Sequence, residues 1–229
     1  MKTCLLIASV VVFSVGSASA DPKTEVTGAI KKLAAQSGYA WTYTPKTEGS
    51  ESSRRQGPIE GKTEKDGYTY LRSSLGDVSL EIGIKGTKMV VNYNGDWLST
   101  AELGENNRTV QRLRMLKKAD EEALDLVGEA TELKKAPDGS YASSMAAEAA
   151  KNMFSLLGKR AAESPEASGS MKFWIKDGML SRYEYVVRGK ITVGEDKKEV
   201  EVTRTTTVEI KDVGAVKVSL PEDAKKKLS

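Results

Sequence analysis

The chain has 229 residues, with 35 basic and 32 acidic side chains, no histidine and one cysteine, Cys4. Lacking imidazole, it can build neither a Ser-His-Asp triad nor a thiolate–imidazole zinc site. The charge balance is close to neutral and no basic stripe is interleaved with aromatics, which argues against a nucleic-acid partner.

Lys2, the apolar run 5–13 and Ala18-Ser19-Ala20 stand in the order of a secretory signal peptide cut before Asp21. The run is well short of the roughly 20 residues that span a bilayer. No later run approaches that length, so no stable membrane insertion is expected after cleavage. Residues 1–20 are thus read as a leader and 21–229 as a single domain. Cleavage would remove Cys4 and leave a chain without disulfides in an oxidising compartment, stabilised by burial alone. Ser17 and Ser19, not a cysteine, stand at the end of the apolar core, so a freely soluble periplasmic or secreted protein is expected. Asn107-Arg108-Thr109 matches a glycosylation acceptor, unused on a bacterial reading.

Asp21-Pro22 opens a helix over about 22–36, with Val26, Ile30 and Leu33 at helical spacing. The period then becomes two. Tyr39, Trp41 and Tyr43 share one strand face, and Tyr68 and Tyr70 continue the style. Val78, Leu80, Ile82 and Ile84 alternate cleanly, Met89, Val91 and Tyr93 follow, and Asn94-Gly95 turns the chain ahead of Trp97. The middle reads as helical: 109–118 on Val110, Leu113 and Leu116, 120–133 on Leu124 and Val127, and a third helix from Ser140 or Ser143 to about 159. Residues 162–169 read as a linker. Met171, Phe173 and Ile175 restart the alternation, and Lys176-Asp177-Gly178 makes a hairpin turn. Tyr183, Tyr185, Val187, Ile191 and Val193 line the next strand, and Val200, Val202, Val208 and Ile210 line another. A short last strand is expected through Val216 and Val218, and Lys225-Lys226-Lys227 reads as a solvated helix end. Strands with one apolar face imply a sheet covered on one side, with the middle helices as the cover.

Candidate chemistry is sparse. Asp120-Glu121-Glu122 fits a solvated helix start better than a calcium site. Ser181 and Lys190 form no recognisable dyad, and nothing brings two acids together for glycoside cleavage. No catalytic residue, metal or cofactor is assigned. The aromatic residues read two ways, as the core face of the sheet or as the wall of an apolar cavity. Arg182, Glu184, Arg188 and Lys190 fall on the opposite face, where Glu199, Glu201 and Glu209 can pair with them across the hairpin as a solvated surface.

Three segments, KMVVNYNGDW (88–97), KFWIKDGMLSRYEYVV (172–187) and VEIKDVGAVKVSLP (208–221), together with the order of elements, resemble the lipoprotein-carrier superfamily of LolA-, LolB- and LppX-like proteins. The resemblance implies an α+β fold, a curved antiparallel sheet forming an unclosed β-barrel with a helical lid. It also implies a non-enzymatic carrier whose partner is an apolar small molecule or acyl chain of a lipid or lipoprotein. The cavity candidates are then Trp41, Tyr43, Tyr70, Leu80, Ile82, Val91, Phe173, Tyr183 and Tyr185. In the LolA branch an arginine on an early strand is tied to lid closure. Arg72 is a candidate by position, but the role is not carried over to it. The chain departs from the LolB and LppX branches in lacking a lipid-attachment cysteine. The alternative is an interaction module with a filled core whose partner is an envelope protein. The two differ in the interior, where a carrier calls for several hundred cubic ångströms of apolar space.

Overall fold

The computed structural model describes residues 21–49, 57–75, 78–104, 110, 117–164, 166–194 and 196–229. The leader assigned to 1–20, the acceptor sequon at Asn107 and most of the helix expected over 109–118 lie outside them. Val110, from that stretch, is fully buried. No described helix is long and apolar enough to cross a membrane.

The first helix, α1 (Pro22–Ala34), starts as its sequence dictates. The Asp21 carboxylate accepts from the Thr24 backbone N–H at 3.1 Å and Pro22 supplies the pre-set first turn. Eleven strands follow in one antiparallel sheet: β1 (Gly38–Glu48), β2 (Ile59–Glu64), β3 (Thr69–Leu75), β4 (Val78–Lys85), β5 (Lys88–Tyr93), β6 (Asp96–Ser99), β7 (Lys134–Lys135), β8 (Tyr141–Ser144), β9 (Ala167–Lys176), β10 (Met179–Val193) and β11 (Lys198–Lys211). Their spatial order is β6-β5-β4-β3-β2-β1-β11-β10-β9-β8-β7, two meanders joined by the β1–β11 pair. β6 and β7 are its two edges, so the barrel is unclosed. The sheet is α+β in class, with the remaining helices α2 (Thr100–Leu103), α3 (Ala119–Gly128), α4 (Ala147–Ser155), α5 (Lys159–Ala162) and α6 (Glu222–Lys227).

The turns follow their residues. Asn94-Gly95 and Asp177-Gly178 each place two successive residues at positive φ, 54° and 100° in the first pair and 53° and 73° in the second. This is the backbone that matches the strand twist in a two-residue hairpin.

Four expectations are corrected. β2 had not been recognised, since IEGKTE carries one strong apolar residue and pairs instead through its backbone with β1 and β3. The helix expected over 120–133 stops at Gly128, and the helix expected from Ser140 begins only at Ala147. Between them Tyr141–Ser144 joins β9 as β8, because the open edge beyond β9 offers unpaired backbone groups to an extended segment. Residues 216–218 are not a strand. That segment crosses the outer face, held by Val218 N–H donating to Glu64 Oε1 at 2.8 Å and Gly214 N–H to the Gly38 carbonyl at 2.7 Å.

That crossing also corrects the expectation of one-sided cover. The main core lies on the inner face, where α1 and α4 pack against β9 and β10, α5 packs against β10, and α3 lies on α1. A second cluster on the outer face of the β3–β6 half joins Val90 and Trp97 to Leu220, Ala224 and Leu228 of the C-terminal segment. Lys227 ties α6 to Glu102 at 2.6 Å, so the basic end is only partly solvated. The outer face of β9–β11 is charged as expected. Lys190 pairs with Glu199 at 3.1 Å, and Arg182 bridges to Glu184 at 2.8 Å while lying over the Trp174 ring.

Candidate functional site

Register determines which candidates meet. One row of cross-strand neighbours runs Val91–Ile82–Leu71–Gly61–Trp41–Ile210, from β5 to β11. A second runs Tyr43–Val208–Tyr183–Phe173–Tyr141, from β1 to β8. Since Trp41 and Tyr43 are two residues apart on one strand, both rows share the inner face. Leu80 lies on that face two residues from Ile82, and Tyr185 two residues from Tyr183. Eight of the nine candidates are therefore brought together. Tyr70 is not: it stands one residue from Leu71, packs with the outer cluster, and donates to Glu81 at 2.5 Å. Burial, then the Glu81 carboxylate, pushes the Tyr70 phenol up to about 12.

The rows are filled in different ways. The Trp41 indole folds flat over Gly61, where a Cβ would come within 2.0 Å of the ring. Its N–H reaches Thr63 Oγ1 at 3.3 Å, so the buried indole keeps a partner. On β10, Phe154 of α4 fills the equivalent dip above Gly189, where a Cβ would come within 2.6 Å of the ring.

Between the rows lies a polar cluster that sequence reasoning missed. Glu122, in the first turn of α3, reaches down to the sheet. Its carboxylate accepts from Tyr183 Oη at 2.6 Å and Tyr185 Oη at 3.1 Å. The Tyr185 hydroxyl stands 3.3 Å from that of Tyr43, which accepts from the Arg204 guanidinium at 3.4 Å. One turn-start earlier, Tyr39 Oη bonds to the Asp120 carboxylate. Asp120 and Glu122 are thus ligated by phenols and not solvated as the three-acid run suggested. Burial pushes the Glu122 carboxyl above the ordinary range, against the lowering pull of its two phenol donors. The Tyr39, Tyr183 and Tyr185 phenols rise for the same first reason, burial, and then because a carboxylate faces each of them. At neutral pH these hydroxyls are donors.

Two further inward residues complete the patch. Thr206 lies directly across the ladder from Tyr185, fully buried, with its hydroxyl against the Tyr185 phenol but in no well-formed hydrogen bond. Arg204 lies across from Val187 on the same face. Arg72, by contrast, is exposed on the outer side and bonds to Ser79 Oγ at 3.3 Å, so its position gives it no contact with the helices of the inner face. Ser181 donates to the Trp174 carbonyl at 3.1 Å, far from forming a dyad.

Chemically, the cluster holds and orients a carboxylate. Among the described residues no group of three or more Asp, Glu, His or Cys side chains is disposed to hold a metal. A polar notch of about 50 Å³, lined by Arg160, Glu163, Ser164, Lys190, Thr192 and Glu199, lies at the far end of β10. It is too small and too polar for an acyl chain. The inner face is closed over its aromatic residues, with Phe154, Phe173 and Tyr183 fully buried.

The fold defines a class of protein, an open antiparallel half-barrel with helices across its concave face. Among solved structures, the chain is similar to LprF from Mycobacterium bovis, with 12% identity over 91% of this chain and 100% of the other, at a TM-score of 0.49. It is similar to the lipoprotein LppX of Mycobacterium tuberculosis at 12% identity over 86% and 98%, with a TM-score of 0.49. A LolA-superfamily protein of Nitrosomonas europaea matches at 7% identity over 88% and 96%, with a TM-score of 0.37. Two of the three branches named from the sequence segments, LppX and LolA, are among these structures, as likenesses of outline at low identity. No family model matches the chain, and neither does any curated protein.

Proposed function

We propose that the mature chain, residues 21–229, is an exported, non-enzymatic binding protein for an apolar ligand such as a lipid or the acyl group of a lipoprotein. The ligand would lie along the inner face of β1–β5. One observation carries this reading: the apolar row of Trp41, Leu71, Ile82 and Val91, at most 4% exposed, crosses five strands, yet the described helices approach the inner face most closely at β9 and β10. From β1 to β5 the row spans four strand spacings of about 4.8 Å, roughly 19 Å, a length suited to a long acyl chain. Leu80, Ile84 and Met89 widen it. Packing here is closed, so a ligand enters by displacing the cover and replaces one apolar contact by another at little cost in exposed surface.

The close packing itself favours a second reading, an envelope interaction module with a filled core and a charged outer sheet as its contact surface. A neutral apolar dye, N-phenyl-1-naphthylamine, separates the two. Saturable enhancement of its fluorescence, reversed by a long-chain lipid and lost in Leu71→Asp, is expected for the carrier. A folded protein that leaves the dye dark at every concentration would overturn that reading and leave the module.

A further inference from the structure

Glu122 is an acid inside the apolar stripe of α3. Ala119, Ala123, Leu126 and Val127 of the same helix are all buried. An acid placed in such a stripe costs free energy unless its oxygens are met by donors, and here both are met, by phenols from β10. The donors outnumber what Glu122 uses. The Tyr43 hydroxyl continues the line 3.3 Å from Tyr185, the Arg204 guanidinium stands 3.4 Å beyond it, and the Thr206 hydroxyl is fully buried against Tyr185 without a well-formed hydrogen bond. A buried hydroxyl without a well-formed hydrogen bond is costly, and an acceptor brought into the patch would satisfy it. At the other end of this line, Tyr183 shares its cross-strand row with Tyr43, two residues along β1 from Trp41, the start of the apolar row.

Resting on the carrier reading above, we infer that Glu122 is an internal stand-in for a ligand carboxylate. The preferred ligand is a fatty acid whose head replaces Glu122 between Tyr183 and Tyr185 and whose tail lies over Trp41, Leu71, Ile82 and Val91. Displacing Glu122 frees α3, which otherwise rests on α1. A ligand head placed there accepts from both phenols, and the Thr206 hydroxyl gains an acceptor within the same patch. Charge-assisted bonds of this kind are about twice as strong as neutral ones, so an acid is preferred to its ester.

Competition between palmitic acid and methyl palmitate for the bound neutral dye tests this. The wild-type chain is expected to bind the acid at least tenfold more tightly than the ester. In Tyr183→Phe/Tyr185→Phe the preference disappears while ester affinity holds, because the rings stay and only the hydroxyls go. In Glu122→Gln the acid binds about tenfold more tightly, since the internal competitor has lost its charge. Equal affinities for acid and ester in the wild type, or an acid preference untouched by the double Phe variant, would overturn the inference while leaving apolar binding intact. If neither compound displaces the dye because the dye does not bind, the carrier reading itself fails. Circular dichroism of each variant separates lost binding from lost folding.

Discussion

The two halves of the sheet solve the same burial problem in opposite ways. The β8–β11 half, built on strands of 10, 15 and 14 residues in β9, β10 and β11, takes its cover from helices, with α1 and α4 packed directly on it and Phe154 set into the dip at Gly189. The β2–β6 half, with strands of 4 to 8 residues, fills its dip at Gly61 from within the sheet, using Trp41, and is braced from outside by the C-terminal segment. The first arrangement is a conventional core. In the second, among the described residues, the dip in the inner face is filled by a side chain of the sheet itself. The Glu122–tyrosine cluster lies at the boundary between them.

The contrast can be broken from several directions. The largest effect is expected on the helix-covered half, where Phe154→Ala should cost about 3–5 kcal/mol of stability in urea unfolding. Gly189→Ala should act in the same direction by expelling the ring. In the other half, Leu228→Ala should cost about 2–5 kcal/mol, and hydrogen exchange should rise in β5 and β6 while the amides of β9–β11 keep their protection. Equal loss of protection in both halves would contradict their separate bracing. Gly61→Ala should cost about 1–3 kcal/mol through overpacking, with a change in tryptophan fluorescence as the Trp41 ring is lifted.

The smallest effect is a slope with pH. The folded-state pKa of Glu122 is raised above the ordinary 4.5, chiefly by burial, with Tyr183 and Tyr185 opposing and Lys117 and Asp125 acting from outside the contact. The folded state therefore binds this proton more tightly than the unfolded chain. The stability it confers is complete below about 4.5 and is lost as pH rises through the folded value. Stability measured relative to Glu122→Gln should fall as pH is raised from 4.5 towards neutrality. A flat difference would mean that the carboxylate is solvated, and a rising one that the phenol donors outweigh burial.

Much of this was legible because alternation is a strong signal where one face is buried. Tyr39-Trp41-Tyr43, Val78–Ile84 and Tyr183–Val193 each announced their strand and its inner face, and Asn94-Gly95 and Asp177-Gly178 announced their turns. The edge strand β8 was not legible, since Tyr-Ala-Ser-Ser is ordered by the open edge of β9 and not by its own pattern. Nor was the split of Tyr70 from Leu71, because it needs the register of β3 against β4. The polar cluster did leave traces. In β11, strict alternation from Val202 through Val208 to Ile210 puts Arg204 and Thr206 on the core face. In α3, Glu122 falls in register with Ala119 and Leu126. A charge or hydroxyl at a position whose period demands an apolar residue is the signal, and the three-acid run around Glu122 masks it by resembling an ordinary helix start.

Native mass spectrometry of residues 21–229, purified without detergent from cells that make it, tests most directly whether the inner face holds an acyl ligand. The expected result is a population carrying one acyl-bearing molecule, released by organic solvent and restored by adding palmitic acid. A bare chain that takes up no palmitic acid would contradict it.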